Sequence, residues 1–360
     1  MEKLQVLVVD DSAFMRKMIS DLLNEHPRLT VQATARNGKE AIEKTMALKP
    51  DVITLDVEMP EMNGLEALKA IMNEMPTPVV MLSSLTDAGA KETIEALQIG
   101  AVDFIQKPSG SISLDLHKVR ELLHEKVIAA ATTQVKRLAK PSKLPKPSKP
   151  PSSLPQQEPA GRKPGLRMSF SHLVAIGTST GGPRALQQLL TGIPENFPAP
   201  ILIVQHMPPK FTQSLAQRLN AVCRITVVEA EEGMPLSAGM AYIAPGGWHM
   251  GVREKGDNRY TIRLNKDSPR SGHRPSVDAL YESLLPLRQL TLHAVLLTGM
   301  GSDGARGMKA LLDAGAATTI AESEETSVIY GMPRSAVELN AATCVLPLHD
   351  IASKLVRITQ

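Results

Sequence analysis

Aromatic residues are scarce in this chain: Phe, Tyr and Trp together make up 3% of 360 residues. The cores must therefore be aliphatic and methionine-filled, and a surface that stacks single-stranded bases on aromatic rings is disfavoured. Cys223 and Cys344 are the only cysteines, too few for a disulfide framework or a cysteine-built zinc site. No apolar run reaches the roughly 18–20 residues of a membrane span, and no signal-peptide pattern opens the chain. These absences predict a cytoplasmic protein that is not membrane-embedded. An excess of charge of one sign is also lacking, because the net charge is only +3. Residues 136–167 hold nine Lys or Arg and a single acid, Glu158, so this stretch carries +8 and the remainder −5. A basic nucleic-acid footprint on a folded face is thereby excluded.

What is present divides into two patterned regions. Apolar runs at 4–9, 29–33, 52–55, 79–82 and 102–105 alternate with helical patterns at 15–23, 41–48, 65–72, 92–97 and 114–131. Val- and Ile-rich strands, each followed by a helix, predict a parallel (βα)5 sheet covered on both faces. Between 139 and 165 the chain turns to Pro, Lys and Ser without apolar periodicity. Such a composition buries too little surface to offset ordering entropy, so it reads as a semi-extended linker. Alternation resumes with runs at 173–176, 201–204, 225–228, 240–244, 260–264 and 294–297, and helices are expected after Pro183, Lys210, Pro275, Asp303 and Pro333. The glycines at 246–247 and 256 suggest a β-hairpin inserted in this second α/β unit. The expected division is 1–130, a linker over 131–168, and 169–360.

In the first region Asp10 and Asp11 close the first strand, Asp56 the third and Ser83 the fourth, while Lys107 follows the fifth. The carboxyl ends of a doubly wound sheet share one edge, where ligands gather. Three carboxylates there repel one another unless a cation is present, and a few hard oxygen ligands suit Mg²⁺. Asp56, central in the set, is the expected nucleophile toward a phosphoryl group. Lys107 would offset the charge on the equatorial oxygens, and Ser83 could hydrogen-bond the attached group.

In the second region Gly177-Thr178-Ser179-Thr180-Gly181-Gly182-Pro183 lies between a strand and a helix, the setting that the G-x-S-x-G pattern of a serine nucleophile requires. A glycine turn that binds phosphate is the alternative, weakened because no P-loop lysine follows. Six histidines could serve as base: His172, His206, His249, His273, His293 and His349. His206 ends the run at 201–204 and so shares the edge of Ser179. His172 and His293 precede their strands and fall at the far edge, whereas His249, in a Gly-Gly-Trp-His turn, could line the site. Asp303, after the run at 294–297, is the candidate orienting acid, with helix capping as its ordinary alternative and Asp278 and Glu229 as weaker rivals. The order Ser…His…Asp differs from the Ser…Asp/Glu…His of ordinary α/β-hydrolases, which predicts a Rossmann-like doubly wound sheet that reached the same chemistry separately.

The strings Val8-Val9-Asp10-Asp11-Ser12, Leu55-Asp56-Val57-Glu58-Met59-Pro60 and Lys107-Pro108 resemble response-regulator receiver domains. That resemblance implies Asp56 as phosphoacceptor and Mg²⁺ held by Asp11, Asp56 and the carbonyl of Glu58. It further implies Phe104 as an aromatic that turns inward when Ser83 moves toward the phosphoryl group. Downstream, Ile176 through Pro183, Gln205-His206-Met207, Ala244-Pro245-Gly246-Gly247, His273-Arg274-Pro275-Ser276-Val277-Asp278, Thr298 through Gly304 and Gly331-Met332-Pro333-Arg334 resemble the chemotaxis-type protein-glutamate methylesterases. Thr178 stands where that family often has Ala. The resemblance implies hydrolysis of glutamyl methyl esters and deamidation of certain glutamines on methyl-accepting chemotaxis receptors. It implies Met300 N–H as oxyanion donor, with a group near Thr180 as companion, and no cofactor for the esterase step. A chemotaxis histidine kinase is the implied phosphodonor. A receiver with a purely binding output module and an esterase of small molecules are the competing readings.

Overall fold

The computed structural model describes residues 3–84, 86–107, 115–133, 170–256 and 259–360. Most of the expected linker lies outside the described residues. The N-terminal unit is a five-stranded parallel sheet of order β2-β1-β3-β4-β5. Its strands are β1 (Leu4–Val9), β2 (Leu29–Ala35), β3 (Val52–Asp56), β4 (Val79–Ser83) and β5 (Asp103–Gln106), each followed by a helix. The helices are α1 (Ala13–Asn24), α2 (Gly38–Leu48), α3 (Gly64–Glu74), α4 (Asp87–Ile99) and α5 (Asp115–Ala131). Ser12, Asn37, Asn63 and Thr86 accept a backbone N–H at the starts of the first four, and Asn63 forms a capping box with Glu66. Such caps fix where strand ends turn into helices, and thus where Asp10, Asp11 and Asp56 stand.

The C-terminal unit centres on a seven-stranded parallel sheet of order β14-β13-β12-β6-β7-β9-β8. These strands are β6 (His172–Thr178), β7 (Ile201–Gln205), β8 (Thr226–Glu229), β9 (Met240–Ile243), β12 (Thr291–Leu296), β13 (Thr318–Glu322) and β14 (Cys344–Leu346). A separate antiparallel hairpin, β10 (His249–Glu254) with β11 (Tyr260–Asn265), is the expected insertion. Helices α6 (Gly182–Thr191), α7 (Phe211–Val222), α8 (Val277–Ser283), α9 (Ala305–Asp313), α10 (Met332–Glu338) and α11 (Leu348–Thr359) cover the sheet. Strands β13 and β14 and helix α11 go beyond the sequence expectation.

Alternate residues of the central strands feed two cores. Val174, Ile176, Ile201 and Ile203 pack with α6, α7 and α11. Leu173, Ala175, Leu202 and Val204 pack with α8, α9 and the hairpin. The first core is continuous with that of the N-terminal unit. At the junction Phe104 of β5 stacks on Phe211 of α7, with centroids 4.5 Å apart.

Candidate active site

Strands β12, β6 and β7 are neighbours in the middle of the sheet, so residues just past their carboxyl ends are brought to one rim. Ser179 follows β6, His206 follows β7, and Asp303 lies in the loop after β12. That loop is tied to the turn that carries Ser179. Thr298 O accepts the N–H of Ser179 at 3.0 Å and the hydroxyl of Thr178 at 2.9 Å. A Cβ on Gly299 would fall 2.8 Å from that of Ser179, so only glycine permits this approach. The next residue, Met300, has its N–H unpartnered among the described residues. The helices after both loops begin on left-handed glycines, Gly181 and Gly304, without a side-chain cap.

His206 Nε2 lies 2.8 Å from Asp303 Oδ2. With that nitrogen protonated, Nδ1 carries the lone pair, and it is buried without a partner among the described residues. Ser179 and His206 line one cavity of about 480 Å³, together with Met207, His273, Arg274 and Pro275. Ser179 Oγ and His206 Nδ1 are not hydrogen-bonded to each other in this structure, a looseness common in catalytic groups before substrate arrives. A larger cavity, about 710 Å³ and lined by Arg184, Glu322 and Tyr330, includes none of Ser179, His206 and Asp303.

Asp303 does not cap the helix that follows it. Instead its Oδ1 accepts from Ser276 Oγ at 2.8 Å and Asp278 N at 3.1 Å, and its Oδ2 from Val277 N at 2.7 Å. Burial pushes its carboxyl up, but the His206 bond and charge and these N–H groups outweigh burial and hold it at about 2. A carboxyl held below its unfolded value of about 3.9 stabilises the fold fully above that pH, and the contribution is lost as pH falls through the folded value. Asp303→Asn is therefore expected to lower stability at pH 7 by on the order of 2–3 kcal/mol. In urea titrations the gap to the parent chain should close as pH falls from about 4 to about 2.

The rivals are otherwise employed. Asp278 Oδ1 accepts from Gly304 N at 3.0 Å and Gly307 N at 2.7 Å, pinning the Asp303 loop. Glu229 accepts from Thr212. His249 does not line the cavity: it accepts from Ser276 N and contacts Ser268 O, one layer behind Asp303. His172 and His293 contact each other at 3.0 Å, at the opposite edge as expected. His273, another of the six candidate bases, lies against the chosen one. Its ring stacks on His206 with centroids 3.8 Å apart. Burial, then the charge of His206, pull it down to about 4, so it is neutral beside the candidate base.

Thr180 meets the N-terminal unit. Its hydroxyl donates to Asp103 Oδ2 at the start of β5, so it is engaged with the N-terminal unit rather than turned to the cavity. Asp103 Oδ1 also pairs with Lys126 of α5 at 2.8 Å. Further bridges between the two units are Lys210 with Asp87 at 3.1 Å and Arg218 with Gln98 at 2.8 Å. Phe104, Gln106, Lys107, Val119, Leu122 and Lys126 thereby form one wall of the Ser179 cavity.

In the N-terminal unit three acidic side chains and Lys107 meet at one edge of the sheet. Carboxylate oxygens of Asp10, Asp11 and Asp56 lie within 4.8 Å of one another. Lys107 Nζ sits 2.8 Å from Asp10 and 2.7 Å from Asp56. Burial, with Asp10 nearby, pushes Asp56 up to about 6 against the pull of Lys107. Burial opposes the Lys107 charge, but the two carboxylates outweigh it and raise that ammonium. Glu58 and Ser84 line the pocket. The Ser83 hydroxyl lies instead toward α4, within hydrogen-bond distance of Gly89 O and Thr93 Oγ1. The oxygen-only, clustered acidic set fits a divalent cation of the Mg²⁺ kind.

Among the described residues no helix is long and apolar enough to cross a membrane. The family model for CheB methylesterase matches residues 174–355, and that for the response regulator receiver domain matches residues 6–117. A Geobacillus kaustophilus protein-glutamate methylesterase/protein-glutamine glutaminase is 53% identical over 99% of both chains. The Bacillus subtilis protein of the same description is 48% identical over 98% of this chain and 97% of its own. The crystal structure of the Thermotoga maritima CheB methylesterase catalytic domain superposes with a TM-score of 0.51 at 42% identity, covering 53% of this chain and all of that one. By sequence along its whole length and by the architecture of its catalytic sheet, this chain belongs to the CheB methylesterase family and carries the response regulator receiver domain at its N-terminal end.

Proposed function

We propose that the chain is a cytoplasmic, phosphorylation-controlled hydrolase of glutamyl methyl esters, and a deamidase of specific glutamines, on methyl-accepting chemotaxis receptors. The observation that carries the reading is the Asp303–His206 hydrogen bond at 2.8 Å behind a cavity that His206 shares with Ser179. Ser179 Oγ attacks the ester carbonyl while His206 Nδ1 takes its proton. The tetrahedral intermediate collapses as His206 returns that proton to the leaving group, releasing methanol, or ammonia from an amide. Water, deprotonated by the same imidazole, then hydrolyses the acyl-enzyme to a glutamate carboxylate and free Ser179. Asp303 holds the Nε2–H tautomer and stabilises the imidazolium. The N–H of Met300, unpartnered among the described residues, is the donor to the charge that develops on the carbonyl oxygen, and such a donor is worth about 3–4 kcal/mol. None of these steps calls on a cofactor.

Control runs through the N-terminal domain. Asp11, Asp56 and the Glu58 carbonyl would hold Mg²⁺, which when bound offsets the charge of the incoming phosphoryl group. Asp56 accepts that group from a chemotaxis histidine kinase. The phosphoryl oxygens then draw Lys107 and Ser83, and Ser83 leaves Gly89 and Thr93. Phe104 turns into the space so opened and releases Phe211, which loosens the wall over Ser179. The proposed division is a receiver over 1–130, a linker over 131–168 and a catalytic domain over 169–360.

Purified chain incubated with receptor-bearing membranes carrying glutamyl methyl esters should release methanol. Turnover of small esters alone, with none from the receptors, would replace this reading by a small-molecule esterase.

A further inference from the structure

We propose that Arg274 is a specificity-determining residue that grips a carboxylate of the substrate segment beside the reacting ester. The inference rests on the hydrolase reading above and adds the chemistry of what is recognised. The Ser179 cavity is lined by the basic side chains Lys107, Lys126 and Arg274. Lys107 is paired with Asp10 and Asp56 and Lys126 with Asp103, each at 2.8 Å or less. Among the described residues Arg274 makes no ion pair.

Its guanidinium is nevertheless held in place. Nη1 donates to Lys266 O at 3.0 Å and Asp267 O at 3.1 Å, and the Arg274 carbonyl accepts the N–H of Gly247 at 3.0 Å. Both side-chain bonds fall on Nη1. The edge formed by Nε and Nη2 makes none, and Nε is buried without a partner among the described residues. A buried N–H without an acceptor is costly. The Nε/Nη2 edge presents two parallel N–H groups, matched in spacing to the two oxygens of a carboxylate. Arg274 is also one residue from His273, whose ring lies on His206, so an anion gripped there adjoins the reacting centre. The occupant that suits this edge is a second carboxylate on the segment that carries the ester. Every turnover also leaves a new glutamate carboxylate on that segment, so the preference would grow as a cluster of esters is hydrolysed.

The test uses the full chain and two synthetic peptides that carry one glutamyl methyl ester, flanked by glutamates in one and by asparagines in the other, with methanol as the readout. A charge-assisted hydrogen bond in a half-buried site predicts a preference in kcat/KM of roughly 10- to 100-fold for the acidic peptide. The preference should reside mainly in KM. Arg274→Gln should bring the ratio close to one, and Arg274→Lys, which keeps the charge but not the fork, should fall between. Equal turnover of the two peptides by the unmodified chain would overturn the proposal even if no variant folds, as would an undiminished ratio in a folded Arg274→Gln chain. Ser179→Ala separates the two readings. Continued methanol release by that variant removes the hydrolase assignment, whereas equal use of both peptides by the parent removes only the role of Arg274.

Discussion

Ser179→Ala is expected to lower glutamyl-ester hydrolysis by about 10⁴-fold or more while leaving the fold intact. The Ser179 side chain is half-buried, and its hydroxyl makes no hydrogen bond to the described residues. Truncation there removes no packing layer and orphans no partner, so unfolding free energy should stay within about 0.5 kcal/mol. Loss of rate without loss of stability is the signature of a nucleophile rather than of a structural serine. His206→Gln should cost a similar factor, and the double variant hardly more than either single one, because a base without a nucleophile has nothing to activate. The measurement is methanol release from esterified receptor or peptide, with urea unfolding of the same preparations. If Ser179→Ala retained a tenth of the parent rate, the glycine turn would have to be read as an anion-binding loop instead. His273 sharpens the comparison. It is a neutral ring laid against His206, so its loss should disturb the position of the base without removing the nucleophile.

The parts of this site that lie at strand ends were legible in the sequence, because in a parallel sheet chain position and spatial edge are locked together. Ser179, His206 and Asp56 each sit at or just beyond the carboxyl end of an apolar run, so counting along the run placed them on the rim. Helices were legible from their apolar patterns, and the structure adds the caps that fix their starts, Asn63 with Glu66 and Ser276 before Val277. The rest depends on surfaces distant along the chain. Nothing near Asp303 indicates that it would accept the N–H groups opening α8, and nothing near Thr180 indicates Asp103 as its partner. The stack of Phe104 on Phe211 arises only when two finished domains meet. Strand β13 begins with two threonines and ends on the buried Glu322, whose carboxylate accepts the N–H of Thr298 at 2.8 Å. Its hydrophobic run is therefore too short to stand out, and β14 has only three residues at the sheet edge.

Deleting the N-terminal domain, so that the chain begins at Phe170, should raise esterase activity above that of the unphosphorylated full chain. Phe104, Val119, Leu122 and Lys126 wall the Ser179 cavity, and on the proposed reading they restrict the approach of a receptor segment to Ser179. The polar contacts that hold the wall are few: hydrogen bonds from Thr180 to Asp103 and from Arg218 to Gln98, and the exposed Lys210–Asp87 pair, beside the Phe104–Phe211 stack and the apolar packing that joins the two cores. An aromatic pair is worth about 0.5–1.5 kcal/mol, a charge-assisted bond about 1.5–3 and an exposed ion pair under about 1. A tether that supplies an effective concentration of order millimolar adds to what keeps such an interface closed. On the proposed reading a phosphoryl group at Asp56 opens it, and a coupling of about 1–3 kcal/mol gives a 5- to 150-fold change. The truncated chain should therefore exceed the unphosphorylated parent by a factor in that range and match the phosphorylated one. Asp56→Asn in the full chain should remain at the lower rate whatever phosphodonor is added. Cooperative urea unfolding of the truncated chain checks that it is folded before rates are compared. If it proved no faster than the intact unphosphorylated protein, the wall seen over Ser179 would not be an inhibitory one, and Phe104 would have to transmit phosphorylation to some other event than access.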